Sequence, residues 1–149
     1  MHPAALLDLT TELLRALARQ DGPADATVST FFRRHRQLGP RERHTLAETA
    51  YAVLRRRLLF QHLAQGGSGS GERRQAVLAW QGDEAFLRAA LDPAEIAWRD
   101  RARAVDPATL PAKLRHNLPD WLASRLQAEV GEAEFAGLAE ALLEPAGLD

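Results

Sequence analysis

Ten arginines fall between residues 31 and 74, against three acids, Glu42, Glu48 and Glu72, for a net charge of +7. Residues 1–30 carry −2 and residues 75–149 carry −6, so a chain of net charge −1 holds one strongly basic block. The guanidinium fork donates two parallel hydrogen bonds and never loses its charge, which suits phosphate. The chemistry on offer is therefore phosphate recognition by a positive face. Arg33, Arg34, Arg36, Arg41, Arg55 and Arg56 are the candidates for it. An ordinary charged surface is the simpler account of some of them. Arg33, Arg34 and Arg36 sit where a helix ends, and cations there also complement the helix dipole.

Other chemistries find little support. The five histidines, His2, His35, His44, His62 and His116, lack metal-ligand spacing, and His44 and His62 read as partly buried helix residues. Glu129, Glu132 and Glu134 lie close in sequence, on what reads as a solvated face. The tract Gly66–Gly71 has no Gly-Lys-Ser/Thr ending and no strand before it, so it reads as a flexible connector, not a phosphate loop. Trp80, Trp98 and Trp121 occupy apolar helical positions, where core packing is favoured over base stacking. With no cysteine, thiolate metal sites, disulfides and cysteine nucleophiles are excluded. The chain alone carries no recognisable active site.

The elements that must position the arginines follow from periodicity. Leu6, Leu7, Leu13, Leu14 and Leu17 predict an amphipathic helix over Pro3–Gln20, with Arg15 and Arg19 outward. Asp25 is placed to cap a second helix bearing Val28, Phe31 and Phe32. Gly39-Pro40 opens a long helix running to Gln65, the expected centre of the fold. Its stripe is Ala47, Ala50, Leu54 and Leu58, and the residues after Leu58 predict burial on several sides. Arg43 shares that stripe, which predicts a core-facing arginine with an ion-pair or cap partner. Shorter helices follow over Arg73–Trp80, around Phe86–Leu91, and from Asp92-Pro93 to about Ala104. A single turn is expected within Leu110–Asn117, then helices over Leu118–Val130 and Glu132–Leu143. No stretch alternates with period two. The fold class is all-α, a bundle of about seven to nine helices.

At 149 residues, 46% apolar and 26% charged, the chain has the size and composition of one globular domain. It contains no run long enough to span a bilayer and no basic-then-apolar leader, which predicts a cytoplasmic protein without membrane contact.

Two stretches carry a resemblance. Leu38-Gly39-Pro40-Arg41-Glu42-Arg43 through Ala50-Tyr51-Ala52-Val53-Leu54-Arg55, and Leu118-Pro119-Asp120-Trp121-Leu122 through Ala141-Leu142-Leu143-Glu144-Pro145-Ala146, resemble the N-terminal domain of the Sun/RsmB family of ribosomal RNA (cytosine-5) methyltransferases. Glu42 and Ala52 depart from that pattern, where the family tends to have Asp and Gly. The resemblance implies a NusB-like helical fold over 1–143, with 144–149 beginning a linker to a C-terminal methyltransferase domain. It implies ribosomal RNA as partner and RNA positioning as the role. The chain itself would take no cofactor, and S-adenosylmethionine would belong to the catalytic half. Arg43 and Arg55 match family arginines. A helical protein–protein docking module without RNA contact is the alternative, favoured by the acidic C-terminal block.

Overall fold

A computed structural model of the chain describes residues 1–19 and 21–115, together with residues 125, 128 and 137. Among these the chain is all-α, with seven helices of five or more residues and no strand. None of these helices is long and apolar enough to cross a membrane. Arg125, Ala128 and Gly137 are helical. The remainder of the helices expected over Leu118–Val130 and Glu132–Leu143, with His116, Trp121, Glu129, Glu132, Glu134 and the linker 144–149, lies outside the described residues.

Helix α1 (Pro3–Arg19) forms where the leucine pattern places it. It buries Leu6, Leu7, Leu13 and Leu14, with Leu17 packed at the edge of the core. Thr10 and Thr11 are also buried, and their hydroxyls donate to the Leu6 and Leu7 carbonyls at 2.8 and 2.9 Å. Back-bonding to the previous turn is what lets a hydroxyl sit in an apolar face.

Helix α2 (Ala24–Arg34) buries Val28 and Phe31. Its N-cap is Pro23, with no side-chain cap, so Asp25 does not take the expected capping role. Residues 35–39 then turn the chain into α3 (Pro40–Arg55), which starts on the expected Gly39-Pro40 signal.

Helix α3 differs from expectation in two ways. Its buried line is Leu46, Thr49, Ala50 and Val53, while Ala47 is only partly buried. Thr45 and Thr49 look polar in sequence but are buried, and the Thr49 hydroxyl accepts the Gln81 N–H at 3.0 Å. The helix is therefore rotated about one residue from the apolar stripe, and Arg43 is exposed instead of facing the core.

The long helix also breaks. Arg56 adopts φ −126°, ψ 43°, and α4 (Arg57–Leu63) starts afresh. At ~100° per residue a straight α3 would carry its buried line onto Arg57 and turn Leu59 outward. The break reverses that outcome: Leu59 is buried and Arg57 exposed. Keeping an unpaired charge out of the core is worth several kcal/mol, more than the local cost of leaving helical geometry. Phe60 and Leu63 remain only half-buried, so this end is not the centre of the bundle.

The centre is α5 (Gly71–Ala79). Ala76, Val77, Leu78, Ala79 and the following Trp80 are all buried, a continuous run with no polar face. The helix packs against α1, α3, α4 and α7 (Pro93–Arg103). Its first half, Glu72–Gln75, is polar and half-buried, so it is the second half of the helix that enters the core. Helix α6 (Glu84–Arg88) is capped by Asp83, which accepts the Phe86 N–H at 2.7 Å. Asp92 opens α7 with a reciprocal capping box to Glu95. A 3-10 turn (Pro107–Thr109) and the single-turn α8 (Ala112–Arg115) follow.

The glycine tract is packed rather than a bare connector. The Trp98 indole N–H donates to the Gln65 carbonyl at 3.3 Å, and a Cβ on Gly67 would lie 2.7 Å from that ring. Arg74 donates to the Ala64 and Ser70 carbonyls at 2.9 and 3.3 Å, holding both ends of the tract. Ser70 caps α5 by accepting the Arg73 N–H. Trp80 and Trp98 both serve packing, as their positions predict.

Candidate phosphate-binding surface

Two groups of arginines stand out by what they touch. One group is built into the fold. Arg99 is fully buried; its Nε donates to the Val77 carbonyl at 3.0 Å, and its two terminal nitrogens grip the Glu84 carboxylate, Nη2 at 2.7 Å. Arg88 and Arg103 approach the same carboxylate at 3.8 and 3.3 Å. The Arg99 hydrogen bonds, aided by these charges, pull the Glu84 carboxyl down to about 2. Arg73 forks onto Glu95, with Nη2 to Oε2 at 3.0 Å, and Arg74 is tied to carbonyls as described. Arg99 is wholly enclosed, whereas Arg88 and Arg103 keep about half of their side chains exposed.

The other group clusters at the α2–α3 corner. Arg33, Arg34, Arg36, Arg41 and Arg43 are exposed and form no ion pair among the described residues. Arg33 donates only to the neighbouring Thr30 hydroxyl at 3.0 Å. Five cations lie within eleven positions. Glu42 and Asp25 offset part of their mutual repulsion, and an external anion would relieve the rest.

Two grooves flank the last turns of α2. Between α2 and α3 an open groove of about 540 Å³ is lined by Arg33, Arg36 and Arg43, with Val28 and Phe32 as its apolar floor. Its one acid, Asp25, accepts the Tyr51 hydroxyl at 2.8 Å. Between α1 and α2 a second groove of about 510 Å³ is lined by Arg15, Arg19, Arg34 and His35, with Glu12 as its one acid. Arg41 lines a separate pocket with Leu6, Trp80 and Phe86 and two acids, Glu42 and Asp83.

Arg55 and Arg56 do not join this corner. The Tyr51–Asp25 bond ties the late part of α3 to the start of α2, while Arg43 meets Arg33 and Arg36 at the other end. The two helices are thus antiparallel. Arg55 lies four residues beyond Tyr51 and Arg33 eight beyond Asp25, which sets them about 18 Å apart along the pair. Arg55 and Arg56 are also half-buried, unlike Arg33 and Arg34.

Sequence reasoning misses four residues of the two grooves. Arg43 reads as a core residue because the apolar stripe of α3 lies one residue away from its true buried line. Arg15 and Arg19 stand one turn apart on the outward face of α1, and His35 follows Arg34; their proximity depends on the α1–α2 turn. His44 and His62, expected to be partly buried, are exposed. Among the described residues no group of three or more His, Asp or Glu side chains is placed to hold a metal ion.

Comparison of the chain with protein-family models, with curated proteins and with solved structures finds no match.

Proposed function

We propose that this chain is an RNA-binding domain that holds the phosphate backbone of ribosomal RNA in its α2–α3 groove. It would position that RNA for a cytosine-5 methyltransferase domain of the parent protein. The observation that carries the phosphate reading is the sorting of the arginines. Arg73, Arg74, Arg88, Arg99 and Arg103 are engaged by Glu84, Glu95 and backbone carbonyls, whereas Arg33, Arg36 and Arg43 line one open groove with no ion pair among the described residues. The resemblance of Leu38–Arg55 and Leu118–Ala146 to the Sun/RsmB family is what points to ribosomal RNA, to methyl transfer and to a NusB-like form of the all-α fold. S-adenosylmethionine belongs, in this reading, to the other domain. A dinucleotide-type site needs a strand leading into a glycine-rich turn, and the described residues contain no strand.

Phosphate contacts position an RNA without reading its sequence. Affinity should then come largely from released counterions and fall steeply with salt. The test is fluorescence anisotropy of the chain against fragments of small-subunit ribosomal RNA, titrated with salt. Saturable binding with a log–log slope of about 0.7–0.9 per phosphate contacted supports the reading. Absence of binding at low salt overturns it and favours a protein docking module.

A further inference from the structure

We infer that the α1–α2 groove is a pocket for one unpaired nucleotide, with its base laid against His35 and its phosphate held by Arg34 and Arg19. The inference rests on the RNA reading above and adds a second, chemically different site to it. The α2–α3 groove offers arginines over a floor of Val28 and the half-buried Phe32. The α1–α2 groove differs in kind. At its wall the His35 ring packs on Phe31 with centroids 4.1 Å apart and planes 32° from parallel. Phe31 is buried and set edge-to-face with Phe32, so the imidazole is backed by a fixed platform, and His35 itself is half-buried and lines the groove. A nucleobase stacking there would extend an aromatic pile already begun in the protein.

The rest of the lining suits the other parts of a nucleotide. Arg34 and Arg19 supply guanidinium groups with no ion pair among the described residues, and Arg15 is steadied by donating to the Ser70 hydroxyl at 3.0 Å. Thr27 brings a hydroxyl that can donate to or accept from a base edge or a ribose 2′-hydroxyl, and the Thr30 hydroxyl, which accepts from Arg33, keeps its own proton to donate. Glu12 makes no ion pair with these arginines among the described residues. The volume, about 510 Å³, lies in the range of small-molecule sites. Only an unstacked base can enter, because bases inside an A-form helix present no free face. The preferred RNA is therefore a loop or bulge whose phosphates run on into the α2–α3 groove.

The test compares an RNA stem closed by an unpaired loop with the same stem as a blunt duplex, by anisotropy at fixed salt. The loop RNA should bind the wild-type chain about tenfold more tightly. His35→Ala should abolish that preference and leave duplex binding unchanged. His35→Phe keeps the stacking face and should retain it, which separates lost stacking from a folding defect. Equal binding of loop and duplex, or a preference that survives His35→Ala, overturns the nucleotide pocket while the phosphate reading stands. Failure of both RNAs to bind overturns both.

Discussion

The Tyr51 hydroxyl donates to Asp25 Oδ1 at 2.8 Å and ties the late part of α3 to the start of α2, two helices that both pack on α1. The bond spans the hairpin at the end opposite Arg33, Arg36 and Arg43. It also engages the one carboxylate in the groove lined by Arg33, Arg36 and Arg43. Burial, together with Asp25, raises the Tyr51 phenol to about 12 from its ordinary 10. A proton held more tightly in the folded state stabilises fully below pH 10, and that contribution is lost as pH rises from 10 towards 12.

Tyr51→Phe removes this bond without changing the ring. The expected loss is about 1 kcal/mol, typical of a hydrogen bond to a partly exposed carboxylate. Thermal unfolding followed by circular dichroism should show a lower Tm at neutral pH. Between pH 10 and 12 the variant should lose less stability with rising pH than the wild type. An unchanged Tm would mean that the bond does not hold the hairpin.

Glu84 gives the opposite pH dependence. Its carboxyl is drawn from 4.5 to about 2, first by the Arg99 hydrogen bonds. The lowered value means stability that is present above pH 4.5 and lost as pH falls towards 2. Glu84→Gln should flatten the acid limb of an unfolding titration. Glu84→Ala strands a buried guanidinium with the Val77 carbonyl as its remaining partner. The cost should be about 2 kcal/mol, below that of a fully buried pair because the Glu84 side chain is half-exposed. Arg99→Met, which removes the charge and keeps most of the volume, should cost less than Glu84→Ala.

These contacts show which parts of the molecule are legible in one chain of letters. Helix α1 is, because its leucines recur with helical period and its threonines return their hydroxyls to their own helix. The starts of α3, α6 and α7 are, because Gly39-Pro40, Asp83 and Asp92-Pro93 act locally. The central role of α5 is not, since Ala76–Trp80 is uniformly apolar and has no period to read. The rotation of α3 depends on Thr49 meeting Gln81, a contact spanning 32 positions. With Leu46, Ala50 and Val53 buried on the same line, Arg43 becomes a groove residue instead of a core one. Arg99 looks like surface charge until Glu84 is placed beside it. The basic block is plain in the sequence, but its division into spent and free arginines exists only in three dimensions.

Gly67 and Gly66 separate packing from backbone strain within one tract. A Cβ at Gly67 would meet the Trp98 ring and the Arg74 side chain at 2.7 Å, so Gly67→Ala must displace an indole that anchors α7. A loss of about 1–3 kcal/mol is expected, as in overpacked cores, with a shift in tryptophan emission. Gly66 has φ +80° and no neighbour within 4 Å of its Cβ position. Gly66→Ala should cost about 1–2 kcal/mol through the left-handed backbone alone and leave the emission unchanged. If both variants behaved alike, the tract would be a loose connector after all.

The arginine corner makes a prediction that the basic block as a whole does not. Were charge density alone responsible, any two of its arginines would matter equally. The hairpin geometry instead sets Arg33, Arg36 and Arg43 at one end and Arg55 and Arg56 at the other. The triple variant Arg33→Ala, Arg36→Ala, Arg43→Ala should reduce the salt slope of RNA binding by about 2–3 units, roughly 0.7–0.9 for each phosphate no longer neutralised. Its Tm should stay near the wild-type value, since these side chains make no ion pair among the described residues. Arg55→Ala with Arg56→Ala should change the slope by less than about one unit, because these arginines lie about 18 Å away along the hairpin. An equal effect of both variants would place the RNA along the whole length of α3 rather than at the α2–α3 corner. A triple variant that lowered Tm sharply would show the three arginines to be structural, and their groove would no longer count as a phosphate site.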